Sequence, residues 1–517
     1  MLNIIAKKEC RDCLEKLAKS AFFCYNLMAS GFQKRPSTDI DFLAPKLVPT
    51  FSDVKSECRF YIGNVGAQTV GAAKINICFG KKKLFFPMLV LTKDLSKHVG
   101  QEVEIKGWLY NKRSSGPIAF LELRDGYGFV QGVVAEKAVE ADVWRAANEA
   151  TQESSILAGG LVSKHPKQEG VFELQIKNLK IIQAAVDYPI AKKEHGPDFL
   201  LDNRHLWLRS KKQWAIMRVR DAVITAIGEY LHQENFIRVD SPIFTPNACE
   251  GTTTLFPVPY FDLGTAYLSQ SGQLYIEAAI MSVGRCYDFG PVFRAEKSKT
   301  KRHLTEFWMM DAEAAFVEHE ENLKIQEGLV RHVVRYCLEK CGEELAILER
   351  DVEKLKKADA PFVHYSYNEA IEKLHQAGSD IKNGDDLGND DEVLLTKDSS
   401  VPVFIERWPK EIKPFYMKRD PRDSGLVLND DLIATDGGGE LIGGSQREDD
   451  YDVLSERIKK EGLNLDDYQW YLDLRRYGSV PHSGFGIGLE RTVRWICGIE
   501  HVRECIAFPR TIGRLKP

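Results

Sequence analysis

A densely charged loop in the second half of the chain restricts most strongly what this sequence can fold into and do. Between Phe293 and His303, five basic residues surround a single acid, Glu296; the basic residues are Arg294, Lys297, Lys299, Lys301 and Arg302. A charge run that stands alone is most often a solvated face or the tip of a hairpin. This loop does not stand alone, because two further elements accompany it along the chain.

The two accompanying elements lie on either side of the charged loop. Residues 484–491 read Gly-Phe-Gly-Ile-Gly-Leu-Glu-Arg, where glycines permit close backbone approach and Arg491 offers a fork of donors to phosphate. Before the loop, apolar residues recur at three- and four-residue steps from Ile216 to Leu231 and predict a helix. An extended segment that ends at Pro242 follows this helix. Glycine-rich repeats alone are weak signals, so we interpret the three elements together.

Composition narrows the class of protein. A chain of 517 residues with 44% apolar content is long enough for two or three domains. The net charge of -5 means that any RNA contact must be local. The 11 cysteines are scattered and favour a reduced cytosolic chain over a disulfide framework. No uncharged apolar run is long enough to cross a bilayer, so we expect neither a membrane segment nor a secretory signal.

Changes of pattern along the chain predict four segments. Residues 1–88 show no clear periodicity, and we assign them neither a function nor a targeting role. Residues 89–185 carry short alternating strands joined by glycine-bearing turns, which predict a small β-barrel of the oligonucleotide-binding (OB) kind. Residues 186–212, with prolines and a glycine, predict a hinge. Residues 213–517 alternate strands and helices as one large α+β domain, with a long helix near Glu321 to Leu345.

The three elements resemble motifs of the class II aminoacyl-tRNA synthetases, in the aspartate/asparagine subfamily. The helix with its extended segment resembles motif 1, the charged loop motif 2 and the glycine-rich segment motif 3. The match in order and spacing runs from about residue 90 to residue 517. It implies an α+β fold, in which an antiparallel sheet flanked by helices forms the catalytic domain and an OB-fold β-barrel before it reads the anticodon. The resemblance also implies a homodimer through motif 1, with ATP and Mg²⁺ as cofactors.

The same resemblance assigns the nucleotide site position by position. Arg294 would hold the α-phosphate of ATP and Arg491 the γ-phosphate, because attack of a carboxylate on phosphorus needs fixed positive charge there. Glu440 resembles the family carboxylate that binds magnesium, although a glutamate in such a glycine-rich loop could equally be a turn residue. Gly443 stands where aspartate enzymes have a serine, which leaves the second metal contact open. The other implied nucleotide contacts are Glu296, Arg302, His303, Leu304, Gly488 and Phe307, the last stacking on adenine.

The choice of amino acid depends on a few positions. Aspartate enzymes meet the substrate carboxylate with an arginine and with a lysine in the run Gln-Leu-Tyr-Lys. Here Ile276 replaces the lysine and Arg447 remains, which fits the neutral amide of asparagine better. The amide NH₂ group needs an acceptor, for which Asp311 and Glu313 are candidates; asparagine enzymes usually have glutamate in place of Asp311. The residues that resemble the holders of the α-amino group are Glu250 and Gln273.

An RNA contact is implied in the barrel. On the strand from Ile118 to Leu123, Phe120 has the opposite parity to Ala119 and Leu121, which predicts that it lies on the outer face if those two are core. The family uses an aromatic residue and a glutamine at the spacing of Phe120 and Gln131 to stack on and bond the central anticodon base. The alternative is that Phe120 is itself core, since parity alone does not tell inside from outside.

The resemblance therefore implies a two-step reaction. Asparagine and ATP would give asparaginyl-adenylate and pyrophosphate, and the activated amino acid would pass to tRNA(Asn), in the cytoplasm. Three alternatives stay open. Ile276 in place of the lysine argues against an aspartyl enzyme, including a nondiscriminating one, while Asp311 argues weakly for it. A tRNA-independent asparagine synthetase is disfavoured by the barrel. A noncatalytic RNA-binding relative is disfavoured by the presence of Arg294 and Arg491.

Overall fold

The computed structural model describes residues 77–79, 82–84, 88–249 and 255–517. The chain divides into two compact units, Met1–Met88 and Leu89–Pro517. In the first unit, β1 (Ile77–Phe79) and β2 (Lys82–Leu84) form an antiparallel pair. Most of the predicted N-terminal extension, and Glu250, lie outside the described residues. None of the helices in the described ranges combines the length and apolar character needed to span a membrane.

The second unit begins with a small β-barrel. Its strands are β3 (Met88–Leu89), β4 (Glu102–Ser115), β5 (Ile118–Arg124), β6 (Phe129–Ala135), β7 (Ser155–Lys164) and β8 (Phe172–Gln183). Strands β4 to β8 close in the ring order β4-β5-β6-β8-β7, and all neighbours are antiparallel except β6 and β8. Alternate residues fill the barrel, as in β5, where Ala119 and Leu121 are fully buried. Helix α1 (Ala141–Glu149) adds Val143 to this core.

Two short helices, α2 (Pro197–Asp202) and α3 (Arg204–Trp207), occupy part of the segment predicted as a hinge. Arg204 is buried, and its guanidinium donates to the carbonyl oxygens of Ala507 at 2.9 Å and Ile506 at 2.8 Å. Backbone acceptors of this kind satisfy a buried cation without another charge. The segment is therefore anchored to the C-terminal end of the chain.

An eight-stranded sheet forms the centre of the large domain. The strands of this domain are β9 (Ile237–Arg238), β10 (Phe244–Thr245), β11 (Pro257–Pro259), β12 (Thr265–Leu268), β13 (Arg285–Phe293), β14 (Glu306–Ala315), β15 (Val363–Ser366), β16 (Val403–Glu406), β17 (Arg419–Asp420), β18 (Asp423–Val427), β19 (Asn429–Ala434), β20 (Gly439–Gln446) and β21 (His482–Gly488). The central sheet has the order β15-β16-β19-β20-β21-β14-β13-β9 and is antiparallel except at its two outer pairs. Two smaller sheets, β10-β12-β11 and β17-β18, lie beside it.

Some of the helices of this domain cover one face of the sheet. The helices are α4 (Lys211–Gln233), α5 (Gln273–Val283), α6 (His319–Lys340), α7 (Gly342–Ile347), α8 (Val352–Lys357), α9 (Tyr367–Gln376), α10 (Asn389–Thr396), α11 (Tyr451–Lys460), α12 (Gln469–Arg476) and α13 (Leu489–Cys497). Helices α4, α6 and α13 pack on the strands in one core cluster. The Ser210 hydroxyl caps α4 by accepting the backbone N–H of Gln213 at 3.3 Å. The predicted spacing of α4 holds, since Ile216, Val223 and Ile227 are fully buried.

The predicted α+β class, with an OB-type barrel before a sheet-and-helix domain, is confirmed. One element differs from its prediction. The long helix expected to reach Leu345 ends at Lys340, because Cys341 leaves helical geometry at φ -117° and ψ 28° and a new helix begins at Gly342. Leu345 still packs in the same core, so the apolar spacing continues across the break and conceals it in the sequence.

Candidate active site and nucleic-acid interface

A cavity of about 820 Å³ opens on the face of the central sheet opposite helices α4 and α6. Its walls carry predicted site residues from the charged loop, from helices α5 and α13, from strands β14, β20 and β21, and from the residue that follows β20. These are Gln273, Arg294, Glu296, Arg302, His303, Leu304, Phe307, Asp311, Glu440, Arg447, Gly488 and Arg491. The fold thus gathers into one place residues that are more than two hundred positions apart in the sequence.

The two faces of strand β14 separate this cavity from the core. Met309 and Asp311 line the cavity, whereas Met310 packs against the helices on the other face. Strand β21 lies directly beside β14, and a Cβ atom at Gly486 would stand 2.6 Å from Asp311 Oδ1. Glycine at this position leaves room for the buried carboxylate. The glycine-rich segment therefore leaves room for the acidic side chains of β14. This role adds to the close backbone approach that the sequence predicted.

The charged loop brings predicted nucleotide contacts to one end of the cavity. Arg294 directly follows β13, and its guanidinium carbon lies 6.0 Å from the centre of the Phe307 ring. Leu304 is buried against Phe307 and anchors the return of the loop into β14. Burial, and after it the charges of Arg491 and Arg302, lowers the pKa of His303. Its imidazole is therefore neutral at pH 7.

Arg491 binds Glu440 directly, and Arg302 is linked to Glu440 through Glu392. Arg491, in the first turn of α13, donates through Nη1 to Glu440 Oε2 at 3.1 Å. Arg302 is paired with Glu392 of α10, and the Glu392 carboxylate also accepts the backbone N–H of Glu440 at 3.1 Å. Glu392 thereby joins the charged loop to the strand that carries Glu440. Arg491 and Arg302 are thus both held in place by carboxylates.

Glu440 shares its space with a second acid, Asp431, on the neighbouring strand β19. Glu440 Oε1 and Asp431 Oδ1 lie 3.5 Å and 3.8 Å from the point where a Cβ atom of Gly443 would stand. Lys413 Nζ donates to the other oxygen of Asp431 at 2.7 Å. Burial raises the pKa of Asp431, and Lys413 only partly opposes that rise. Two carboxylates with incomplete compensation are the oxygen donors that a divalent cation such as Mg²⁺ takes from a protein.

The opposite end of the cavity contains Arg447, which is buried. Its Nε donates to Glu313 Oε1 at 2.9 Å, and its Nη1 donates to the Ser445 hydroxyl at 2.6 Å. The guanidinium carbon lies 5.3 Å from the centre of the Tyr416 ring. Glu313, which the sequence offered as an alternative acceptor for the substrate amide, is thus engaged with the arginine. Asp311 lies nearby and accepts from the Ser271 hydroxyl at 2.9 Å.

Gln273 and its helix form the floor at this end. Gln273 begins α5, and its Nε2 donates to Glu277 Oε1 at 3.0 Å, one turn further along. Ile276, at the position of the lysine found in aspartate enzymes, is fully buried with Ile280 and Cys286. It does not line the cavity. Ile276 therefore contributes neither a cation nor an apolar contact to the cavity wall.

The predicted RNA-binding residues lie together on the outer face of the barrel. Phe120 is half-buried between the fully buried Ala119 and Leu121, so the interpretation of Phe120 as core is wrong. The guanidinium carbon of Arg113 lies 4.8 Å from the centre of the Phe120 ring, and Arg113 Nη2 donates to Gln131 Oε1 at 3.0 Å. Gln131 Nε2 in turn donates to Glu173 at 2.6 Å. An aromatic face, an amide and two charges form a platform suited to a single-stranded base.

The comparisons with known proteins agree with this geometry. Residues 196–512 match the family described as tRNA synthetases class II (D, K and N), and residues 103–182 match the OB-fold nucleic acid binding domain. The curated asparagine–tRNA ligase of Desulforamulus reducens is 53% identical over 427 residues, which are 83% of this chain and 99% of that protein. The chain belongs to the asparaginyl-tRNA synthetases of class II.

Solved structures place this synthetase among the same proteins. An asparaginyl-tRNA synthetase from Pyrococcus horikoshii, complexed with asparaginyl-adenylate, is 44% identical with a TM-score of 0.80. The match covers 83% of this chain and 99% of that one. The Entamoeba histolytica asparaginyl-tRNA synthetase, also in complex with asparaginyl-adenylate, is 30% identical with a TM-score of 0.75, over 84% of this chain and 100% of that one.

Several residues of the synthetase's candidate site were not among the sequence predictions. They are Asp431 beside Glu440, Glu392 beside Arg302, Glu277 beside Gln273, and Arg113 with Glu173 beside Gln131. Glu277 lies one helical turn from Gln273, and Asp431 approaches Glu440 from the paired strand β19. Glu392 reaches the charged loop from helix α10. The parity that predicted Phe120 could also have indicated Arg113, which stands opposite Phe120 in the register of β4 and β5. Asp431 and Glu392 gave no comparable signal, because one depends on the register shift between β19 and β20 and the other on a contact between α10 and the charged loop.

Proposed function

We propose that this protein is an asparagine–tRNA ligase, which activates asparagine with ATP and transfers it to tRNA(Asn). One observation carries the proposal: a single cavity joins the phosphate-binding candidates Arg294 and Arg491 to the amino-acid candidates Gln273 and Arg447. The reaction needs these two ends within reach of each other, because the substrate carboxylate must meet the α-phosphate. The 53% identity to a curated asparagine–tRNA ligase supports the same activity.

In the first step, a carboxylate oxygen of asparagine attacks the α-phosphorus of ATP, and the bond to pyrophosphate breaks. Both reactants are anions, so the step is fast only where fixed cations compensate the charge that builds up at phosphorus. Arg294 and Arg491 supply that charge at the two ends of the triphosphate. In the second step, the terminal adenosine hydroxyl of tRNA attacks the activated carbonyl, and AMP leaves. No side-chain nucleophile takes part.

We propose that Glu440 and Asp431 hold Mg²⁺ bound to the nucleotide. The fit rests on two carboxylate oxygens that share one space and on the incomplete compensation of Asp431. Such an ion would neutralise phosphate oxygens and orient the leaving pyrophosphate. The protein's own part is to hold these carboxylates: Arg491 fixes Glu440, and Lys413 fixes Asp431.

At the amino-acid end, Arg447 donates to the side-chain oxygen of asparagine and Asp311 accepts from its NH₂ group. Gln273, together with Glu250, holds the α-amino group. The buried pair of Arg447 and Glu313 keeps the arginine in one orientation, and an ordered donor discriminates better than a mobile one. In the barrel, Phe120 and Gln131 receive the central anticodon base by stacking and hydrogen bonding.

We further propose that the synthetase is a homodimer in the cytoplasm. The dimer would form through motif 1, and the apolar side chains Phe244, Phe261 and Leu263 are exposed in the segment that follows this motif in the sequence. A reducing compartment agrees with five buried cysteines that are thiols, namely Cys286, Cys337, Cys341, Cys497 and Cys505. The role of residues 1–88 is left unassigned.

The experiment that tests the activity is ATP–pyrophosphate exchange, run in parallel with asparagine and with aspartate. We expect strong exchange with asparagine alone, and a loss of about 100-fold or more in Arg491→Ala, because a preorganised phosphate contact is removed. Arg476→Ala, an exposed arginine of α12, is the matched control and should exchange as the wild type does. Exchange with aspartate instead would make the protein an aspartyl enzyme. Exchange with neither would favour the noncatalytic alternative.

A further inference from the structure

Glu277 is a fully buried carboxylate directly behind the amino-acid end of the cavity. Four side chains donate to it or lie within hydrogen-bond distance. Gln273 Nε2 is 3.0 Å from Oε1, the Tyr471 hydroxyl is 2.7 Å from Oε2, Arg475 Nη2 is 2.8 Å from Oε2, and His482 Nε2 is 3.1 Å from Oε2. A buried carboxylate with this many partners has one fixed position.

Two of the groups around Glu277 are themselves candidate substrate contacts. Gln273 is its direct hydrogen-bond partner, and Arg447 Nε lies 4.0 Å from Glu277 Oε1. The backbone N–H of Arg447 also donates to the carbonyl oxygen of His482, which binds Glu277 through its ring. Glu277 therefore binds Gln273 and lies close to Arg447, the two polar residues on either side of the amino-acid pocket, although it does not line the cavity itself.

The position of Glu277 changes what Arg447 offers to a substrate. The guanidinium has Glu313 bonded on one side and Glu277 at 4.0 Å on another, both away from water. Glu277 offsets part of the positive charge of Arg447, an effect that Arg475 limits by pairing with Glu277 at 2.8 Å, while the N–H groups of Arg447 keep their ability to donate. An amide oxygen needs only a donor. A carboxylate that loses its water on entering the pocket needs net positive charge, which the negative charge of Glu277 reduces.

Burial alone would raise the pKa of Glu277, but Arg475, His482 and Arg447 lower it below its usual value. The group therefore stays ionised at neutral pH. Its negative charge is a permanent feature of the pocket, held by Arg475 and by the hydroxyl of Tyr471 from helix α12.

We propose that Glu277 is a specificity-determining residue, whose buried charge makes the pocket accept asparagine and reject aspartate. It acts through Arg447 and Gln273 and is a positioning residue, since it does not touch the substrate. This proposal rests on the proposed function. It assigns to Glu277 the discrimination that the sequence suggested only through the missing lysine at Ile276, a side chain that lies in the core.

The test is Glu277→Gln, which keeps the size and one oxygen acceptor but removes the charge. Exchange kinetics with asparagine and aspartate would give kcat/KM for each amino acid. We expect the preference for asparagine over aspartate to fall by about tenfold or more, through a lower KM for aspartate, because Arg447 regains net charge. Glu344→Gln, another buried glutamate paired with Arg218 at the outer helices, is the matched control and should keep the preference.

Glu277→Asp provides a second measurement, because it keeps the charge and shortens the side chain. We expect it to lose activity with asparagine and still to reject aspartate. An unchanged preference in Glu277→Gln, or a relaxed preference in Glu277→Asp, overturns the proposal. Wild-type exchange with asparagine alone is measured first; if that is absent, the proposed function has failed, which is distinct from a wild type that discriminates without Glu277.

Discussion

Asp288 and Asp311 are buried acids that face each other across strands β13 and β14, beside the amino-acid end of the cavity. Burial, and after it the negative charge of Asp311, raises the pKa of Asp288 to about 8. Asp288 therefore keeps a proton at pH 7. Asp311 accepts hydrogen bonds from the Ser271 hydroxyl and the backbone N–H of Gly272, each at 2.9 Å. The protonation of one acid supports the proposed role of the other in holding the substrate amide.

Replacement of Asp288 by asparagine tests for this proton, because the proton makes the stability of the wild type depend on pH. The unfolded carboxyl has a pKa of about 3.9, so the wild type loses stability from about pH 4 to pH 8, where the unfolded chain releases a proton that the folded protein keeps. Asp288→Asn copies the protonated acid and escapes that loss. We expect the melting temperature of Asp288→Asn, relative to that of the wild type, to rise from pH 5 to pH 8.5. The rise should be about 2 °C for each kcal/mol of difference in the free energy of unfolding, measured by calorimetry.

The control for this measurement is Glu169→Gln, an exposed carboxyl in the loop before β8. Its difference from the wild type should be the same at both pH values. An advantage of Asp288→Asn that does not grow with pH would contradict the assignment of the proton to Asp288.

At the scale of elements, features within one strand or helix could be predicted from the sequence, and features that join elements could not. The parity of Phe120 and the spacing of α4 are properties of single segments, and both agree with the structure. Asp431 meets Glu440 only because β19 and β20 pair with a register shift between Leu432 and Ile433. Glu277 likewise receives partners from α12, almost two hundred residues later. Periodicity carries no information about such pairings.

The barrel provides a prediction at this scale, because its outer face can be altered without touching the cavity. Phe120→Ala should leave asparagine-dependent exchange unchanged and lower kcat/KM for tRNA charging by about 5- to 150-fold, the equivalent of one stacked base at about 1–3 kcal/mol. Both reactions would be measured on the same preparation. Ile182→Ala, an exposed apolar side chain at the end of β8, should affect neither reaction. Equal losses in exchange and charging would remove Phe120 from the anticodon contact.

At the scale of the whole molecule, an exposed apolar surface in the segment after motif 1 indicates where two copies of the chain would associate. Phe261 is 90% exposed and Leu263 is 83% exposed, and Tyr260 packs between the rings of Phe244 and Phe261 at 5.6 Å and 5.2 Å. Phe261 also has a φ of +48°, a left-handed conformation that costs a bulky residue free energy. A strained backbone that presents an aromatic ring to water is explained if a second copy of the chain covers it.

We therefore expect a mass in solution of twice the 58.6 kDa of one chain. Phe261→Asp combined with Leu263→Asp should place two charges in the proposed interface and shift the protein to monomer, because unpaired charge cannot be buried there. Light scattering coupled to size-exclusion chromatography measures this shift. Tyr477→Asp, an exposed aromatic after α12, is the control and should remain a dimer. A double variant that stays dimeric would mean that the copies meet through another face, and that the strain at Phe261 serves a different contact.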